Sequence, residues 1–295
     1  MESSLPVYIQ ALVYSFIGLS ILTSILKSRS ISPQLGILNR WLRWFGISLG
    51  LAYLIHESSF SSRPYWTLAV ICFLSWLLLE TLYNWIAITA LSRSNFNLFP
   101  YFRENRTGEE WPADPKVISI RDWLRENGFK KMQALVADLG NDMTLRSSVY
   151  QSSDDTVRVQ ILFLPQTNGY ISNSISFYSE SESGDWVVTD NQFIPFGGFY
   201  PDNWDLSRHP WTRKIDNLFF KHCKRVDDEG LINFDDTPID MLNDHQKALE
   251  NTNLELGFLV PRHLQEDHGR ISWEGRYRVW KEVWLLNYLG ISSKH

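Results

Sequence analysis

Cysteine is scarce in this chain, and the motifs that bind zinc or build a thiol catalyst are missing. The two cysteines, Cys72 and Cys223, fall in segments of different character, so we expect no disulfide between them. Such usage is typical of a reducing compartment. No H-E-x-x-H motif or paired Cys/His spacing occurs, and the adjacent His222 and Cys223 would point about 100° apart on a helix. The sequence therefore predicts no metal, no cofactor and no recognisable catalytic motif.

The C-terminal two thirds of the chain contain fewer basic than acidic residues. Six of the 28 Lys/Arg residues and three of the 33 Asp/Glu residues lie in residues 1–99, which leaves 22 basic and 30 acidic residues for the remainder. Nucleic-acid binding needs a basic surface that neutralises phosphates. We therefore expect no nucleic acid among the partners.

The first third has few charged residues of either sign. It contains three long apolar segments, at residues 7–26, 35–55 and 66–91. The third segment has Glu80 as its single charged side chain. At about 1.5 Å rise per residue, a helix of this length covers the ~30 Å hydrocarbon layer. The second segment is a weaker candidate for a membrane span, because Arg40 and Arg43 lie in its first half. The alternative there is a re-entrant or interfacial helix. We predict about three transmembrane helices.

These segments divide the chain into a transmembrane region at 1–93, a linker at 94–114 and a soluble domain at 115–295. Loop charge predicts the orientation. Lys27, Arg29, Arg40 and Arg43 fall in or near the first loop, whereas the second loop holds only Arg63. Because excess Lys/Arg stays cytoplasmic, three spans place the N-terminus outside and the soluble domain in the cytoplasm. If the second segment does not cross, both ends lie on one side. The expected location is the cell inner (plasma) membrane, as a multi-pass protein.

The intramembrane acid Glu80 has Asn84 one turn further along the same helical face. An ionisable side chain at this depth indicates either a proton or ion site or a polar contact that holds helices together. Three helices make a poor permeation path, so the contact is the favoured interpretation.

The soluble part reads as an α+β domain with an antiparallel meander and flanking helices. Helices are predicted near residues 119–127, 130–139, 212–224, 237–251 and 272–289. Strands are predicted near residues 143–150, 157–163, 171–177, 186–189 and 254–260. Asn168-Gly169 is a hairpin signal between two of these strands, and their alternation of apolar residues with serines predicts one buried and one polar face.

Four stretches carry a resemblance to a known group: Phe177–Ser179, Gly184–Asn191, Leu218 with His222, and Tyr277–Trp284. In their order, over about residues 120–290, the chain resembles a group of uncharacterised bacterial membrane proteins. The resemblance implies a bacterial inner-membrane setting with a cytosolic C-terminal domain, and it supplies no mechanism. It makes His222 and Thr189 the first positions to test, and with His209 they form the candidate polar site.

The C-terminal helix carries aromatic residues at steps of four, three, four and four: Trp273, Tyr277, Trp280, Trp284 and Tyr288. Arg276 and Arg278 flank this stripe. Rings flanked by cations are typical of a helix at a membrane surface, with Trp280, Trp284 and the two arginines as the contacts. The alternative, which we favour, is that the stripe completes the core of the soluble domain.

These observations favour a membrane-anchored cytoplasmic binding or interaction module of unknown specificity. The alternative is a membrane-tethered enzyme that acts on a small or lipid-like substrate. The expected partners are the lipid bilayer, and a protein partner or a second copy joined through the transmembrane helices.

Overall fold

The computed structural model describes residues 6–29, 32–107, 111–140, 143–165, 171–226, 230–261 and 268–292. The chain forms two compact units. The first contains Met1–Ala90 and Val283–Ile291, and the second contains Leu91–Glu282 and Ser292–His295. The segment Val283–Ile291 therefore belongs with the N-terminal helices, although it lies far from them in sequence.

Three helices build most of the first unit: α1 (Val7–Arg29), α2 (Pro33–Glu57) and α3 (Tyr65–Arg93). Among the residues that the structure describes, two segments are long and apolar enough to cross a membrane, Val7–Lys27 and Tyr65–Arg93. The prediction of about three spans is therefore wrong in its count, because α2 has the length but not the apolar composition.

The polar side chains of α2 explain this difference. Asn39 is buried, and its Nδ2 donates to Thr23 Oγ1 at 2.9 Å and to Ser24 Oγ at 2.8 Å on α1. Further along, a Cβ added to Gly46 would lie 3.7 Å from the Phe16 backbone, so the two helices approach closely there. The polar residues that weaken α2 as a span thus hold it against α1.

The second unit is built on a seven-stranded sheet whose strands follow in chain order. The strands are β1 (Phe102–Glu104), β2 (Lys130–Gly140), β3 (Met143–Gln151), β4 (Arg158–Pro165), β5 (Ile171–Glu180), β6 (Trp186–Asp190) and β7 (Trp204–Arg208). Every neighbouring pair is antiparallel except β6 and β7. The predicted α+β class with an antiparallel meander is confirmed.

Four helices accompany the sheet: α4 (Pro115–Glu126), α5 (Ile215–Cys223), α6 (Pro238–Glu255) and α7 (Trp273–Trp284), with a π-helical turn at Leu285–Leu289. One core joins α4 and α5 to one sheet face, as Leu124 and Leu218 pack with Phe177. The other core joins α6 to the opposite face, as Leu242 packs with Tyr178. The neighbours Phe177 and Tyr178 thus serve opposite faces, as strand geometry requires.

Several local predictions need correction. Residues 130–139 form β2 instead of a helix, and 254–260 contain only a bridge from Leu259 to Ile271 instead of a strand. The helix predicted from Ser119 begins at Pro115, because Asp114 caps it by accepting from the Lys116 amide at 2.8 Å. The Asn168-Gly169 turn lies outside the described residues.

The serine-bearing face of the sheet was predicted to be the polar face, and in the structure it is buried. Ser174 and Ser176 of β5 are almost fully covered, as is Gln160 of β4. Helix α6 packs on this face, where its Met241 and Leu242 join the core around Tyr178, and the hydroxyl and amide groups of the face lie under cover. Tyr178 satisfies one of them by donating to Gln160 Oε1 at 3.1 Å.

Candidate functional site

Helix α5 has two faces of different chemistry. Ile215, Leu218 and His222 are buried at steps of three and four and form its core face. A neighbouring face, roughly 110° around the helix axis at ideal spacing, carries Lys214, which precedes the helix, and then Asn217, Lys221 and Lys224 at steps of three, four and three. A short helix thus presents a cationic stripe on one side while the sheet holds the other.

The predicted pair His222 and Thr189 is brought together under this helix. His222 Nδ1 lies 3.0 Å from Thr189 Oγ1 on β6, and His222 Nε2 lies 3.1 Å from Ser179 Oγ on β5. Arg225 donates to Thr189 Oγ1 at 2.7 Å, and Ser179 donates to the Thr156 carbonyl at 3.0 Å. Hydroxyl donors and acceptors then assign the tautomer: Thr189 donates to Nδ1, and Nε2–H donates to Ser179.

This chain of hydrogen bonds is closed to solvent. His222 is fully buried and stacks on Phe177 with ring centroids 5.6 Å apart. Burial, together with the nearby Arg225, lowers the pKa of His222 to about 3, so the imidazole is neutral at physiological pH. With both nitrogens bonded and no exposed face, His222 and Thr189 fix α5 to the sheet and do not face a substrate.

His209 belongs to a second network, at the edge of the stripe. Lys221 Nζ donates to His209 Nδ1 at 3.3 Å and to Thr212 Oγ1 at 3.0 Å. His209 Nε2 lies 3.1 Å from Ser207 Oγ. Burial and the positive charge of Lys221 lower the pKa of His209, which keeps it a neutral acceptor for the lysine. His209 therefore positions Lys221.

These side chains border an open groove of about 550 Å³, the α5 groove. Its lining consists of Trp211, Thr212, Arg213, Lys214, Asn217, Phe220, Lys221 and Lys224. Four of these are cations, and no acidic residue is among the described lining residues. Trp211 is 40% exposed and Phe220 is 59% exposed, so the groove also offers two aromatic surfaces. Lys224 Nζ lies 4.5 Å from the Phe220 ring centre.

The chemistry of the α5 groove is anion binding beside an apolar surface. Lysine and arginine side chains donate to phosphate or carboxylate oxygens, and aromatic rings contact the apolar part of the same ligand. A second depression of about 460 Å³ lies near residues 94–99 and 268–271 and has no comparable convergence of one charge. In the described part of the chain, no group of three or more His, Cys, Asp or Glu residues could hold a metal ion.

The intramembrane candidates lie in the first unit. Glu80 Oε1 accepts a hydrogen bond of 2.8 Å from Tyr288 Oη, within the segment Val283–Ile291. Asn84 is half-buried one turn further along α3. Glu80 is therefore engaged in a polar contact between packed segments.

The residues proposed for membrane-surface contact are divided between the units. Trp284 packs in the first unit, 4.5 Å from the Tyr288 ring. Trp280 is half-buried in the second unit, as is Arg276. Arg278 donates to the Gly197 carbonyl at 2.8 Å and lies 3.8 Å above the Phe199 ring. The Arg278 guanidinium is therefore engaged in contacts within the second unit.

Sequence reasoning missed Arg213, Lys214, Lys221 and Lys224. The signal was present, because three lysines recur at seven and three residues around the apolar positions of α5. The net acidity of the C-terminal two thirds concealed a local cluster of opposite sign.

No family model matches this chain, and no curated protein or solved structure does.

Proposed function

We propose that this protein is a membrane-anchored binding module whose second unit binds an anionic ligand in the α5 groove. The observation that supports this most is the convergence of four cations and two exposed aromatic side chains around one groove. The neutral His209 and the buried His222 network hold the cationic face in place without taking part in chemistry.

The setting proposed for this module is the inner membrane of a bacterium, as the family resemblance implies. Two helices with the length and composition of spans support the membrane part of the proposal. We propose that the second unit faces the cytoplasm. The scarcity of cysteine in the chain supports a reducing environment.

Loop charge gives this orientation less support with two spans than with three. Two spans place both ends on the same side. On that count Lys27, Arg29, Arg40, Arg43 and Arg63 would lie opposite the second unit and Arg93, Arg103 and Arg106 with it, although Arg40 donates to Asn287 in the segment that follows the second unit. The positive-inside rule alone would put the connecting segment in the cytoplasm. The orientation therefore needs its own experiment.

Lysine footprinting tests the anion site directly. The full chain in detergent is treated with an amine-acetylating reagent, with and without pyrophosphate, and modification at each lysine is read by mass spectrometry. We expect pyrophosphate to protect Lys221 and Lys224, because a bound anion covers their ammonium groups. Sodium chloride at the same ionic strength controls for screening.

Lys130 and Lys247 provide the internal comparison, since both are exposed and lie outside the groove. Their modification should be unchanged by pyrophosphate. Equal protection of all four lysines, or protection of none, would contradict the proposed function.

A further inference from the structure

We propose that the occupant of the α5 groove is the anionic phospholipid surface of the bilayer that anchors this chain. This inference rests on the proposed function, because it names the source of the anion. The groove would then act as a second, reversible attachment to the membrane, in addition to the spanning helices.

The first argument is the pairing of cations with exposed rings. Trp211 and Phe220 are among the exposed large apolar residues, and Lys214, Lys221 and Lys224 lie beside them. Aromatic side chains enter the headgroup region while basic residues meet lipid phosphates, and each basic residue near the surface strengthens partition about fivefold. A site for a small soluble anion would instead bury most of its ligand in a cleft, whereas this groove is open.

The second argument is charge complementarity. Residues 100–295 contain 30 acidic and 22 basic residues, so an anionic bilayer repels this part of the chain on average. The α5 groove reverses that sign locally, with four cations and no acid among its described lining residues. Asp216 lies about 140° from Lys221 and about 80° from Lys224 at ideal helical spacing, and it is outside the lining.

The third argument is availability. Two segments of the same chain have the properties of membrane spans. Tethering raises the effective concentration of bilayer surface around the groove, so even weak lipid contacts can be populated. A nucleic acid would need a longer basic footprint than four cations in and around one short helix.

Cys223 supplies a reporter on α5, because its side chain is exposed whereas Cys72 is buried. The full chain with Cys72→Ser is labelled at Cys223 with a fluorophore and reconstituted into two kinds of vesicle. One contains only zwitterionic lipid and the other contains anionic phosphatidylglycerol, each with headgroup-quencher lipid. We expect at least about twofold stronger quenching in the anionic vesicles, decreasing with salt.

The variant Lys214→Glu with Lys224→Glu should abolish that difference. The matched control, Lys130→Glu with Lys247→Glu, changes the net charge equally outside the groove and should retain it. Quenching that is the same in both lipids, or lost equally in both double variants, would overturn the lipid assignment. Pyrophosphate protection that persists in that case would leave the anion site standing, whereas loss of both results would remove the proposed function as well.

Discussion

Tyr288 donates a hydrogen bond of 2.8 Å to Glu80, although 207 residues lie between them in the chain. The contact is reinforced from α2, where Arg40 donates to Asn287 Oδ1 at 2.8 Å and Trp41 donates to the Tyr288 carbonyl at 3.0 Å. These donors satisfy carbonyl and amide groups at the end of the C-terminal helix. Glu80 thus holds a returning segment of the chain in the first unit.

Removing the Tyr288 hydroxyl tests this contact. Tyr288→Phe keeps the ring stacked on Trp284 and should lower the stability of the full chain in detergent by about 1 kcal/mol. Tyr288→Ala loses the ring contacts as well and should cost about 3 kcal/mol or more. Glu80→Gln retains an acceptor and should have a small effect. Thermal unfolding measures all three, and a loss of ion or proton flux in Glu80→Gln would instead identify Glu80 as a transport residue.

The orientation of the second unit is testable by fusion to His295. We expect a fluorescent protein fused there to fold and fluoresce, and alkaline phosphatase fused at the same point to be inactive, because the cytoplasm is reducing. The swapped pattern, with active phosphatase and a dark fluorescent protein, would place the second unit outside. A fusion in the connection between α1 and α2 reports the number of crossings, because that connection lies in the cytoplasm with three spans and outside with two.

Acid should destabilise the second unit through two buried histidines. Burial lowers the pKa of both His222 and His245 to about 3, with positive neighbours Arg225 and Arg158 adding to the effect. The unfolded chain binds these protons near pH 6.5, so stability is complete above that pH and falls as pH drops from about 6.5 towards 3. Each histidine contributes about 1.4 kcal/mol per pH unit in that window.

Of the two histidines, His245 gives the clearer test of this pH dependence of stability. Its ring lies edge-on to Trp186 at 4.2 Å and near Trp204 at 4.7 Å, and neither ring nitrogen has a hydrogen-bond partner in the described part of the chain. His245→Phe removes the titrating group and keeps an aromatic ring. The midpoint of unfolding should then depend less on pH between 6.5 and 4 than in the unmodified chain. An unchanged pH dependence would show that the acid sensitivity arises elsewhere.

Thr189 should be needed for its hydroxyl. Thr189→Val preserves the shape but leaves the His222 Nδ1 acceptor without a donor, which should cost about 1–3 kcal/mol. Thr189→Ser restores the hydroxyl and should recover most of the loss. The comparison is made by thermal unfolding with lysine footprinting at Lys221 and Lys224, which also reports whether α5 stays in place. Equal stability of the valine and serine variants would rule out this role.

Sequence patterns correctly predicted the elements whose hydrophobic periodicity is uninterrupted. They failed where strand pairing, and not the local hydrophobic pattern, determines the structure. The helix predicted near residues 237–251 is α6, and Thr237 caps it because its Oγ1 accepts from the Asp240 amide. Residues 130–139 looked helical because Met132, Leu135, Val136 and Leu139 have helical spacing. In the sheet, register shifts at Lys131/Gln133 and Asp138/Gly140 interrupt the alternation that would have indicated a strand.

The candidate site was predictable only in part, for a related reason. His222 and Thr189 were singled out and do contact each other, but what they do depends on burial, which no local pattern reveals. The serine face misled in the same way, since its exposure depends on α6, more than sixty residues further along. The α5 groove required both α5 and the preceding Trp211 to be placed on one side of the sheet.

The membership of Val283–Ile291 in the first unit makes the second unit an insertion within the first. During synthesis, α1 to α3 emerge early but lack Tyr288 and Trp284 until the whole second unit has left the ribosome. Until then Glu80 has no Tyr288 hydroxyl to bond. The first unit is therefore complete only after the second unit has been synthesised. A single cut in the chain between the units would leave the second unit joined to the first by its other connection.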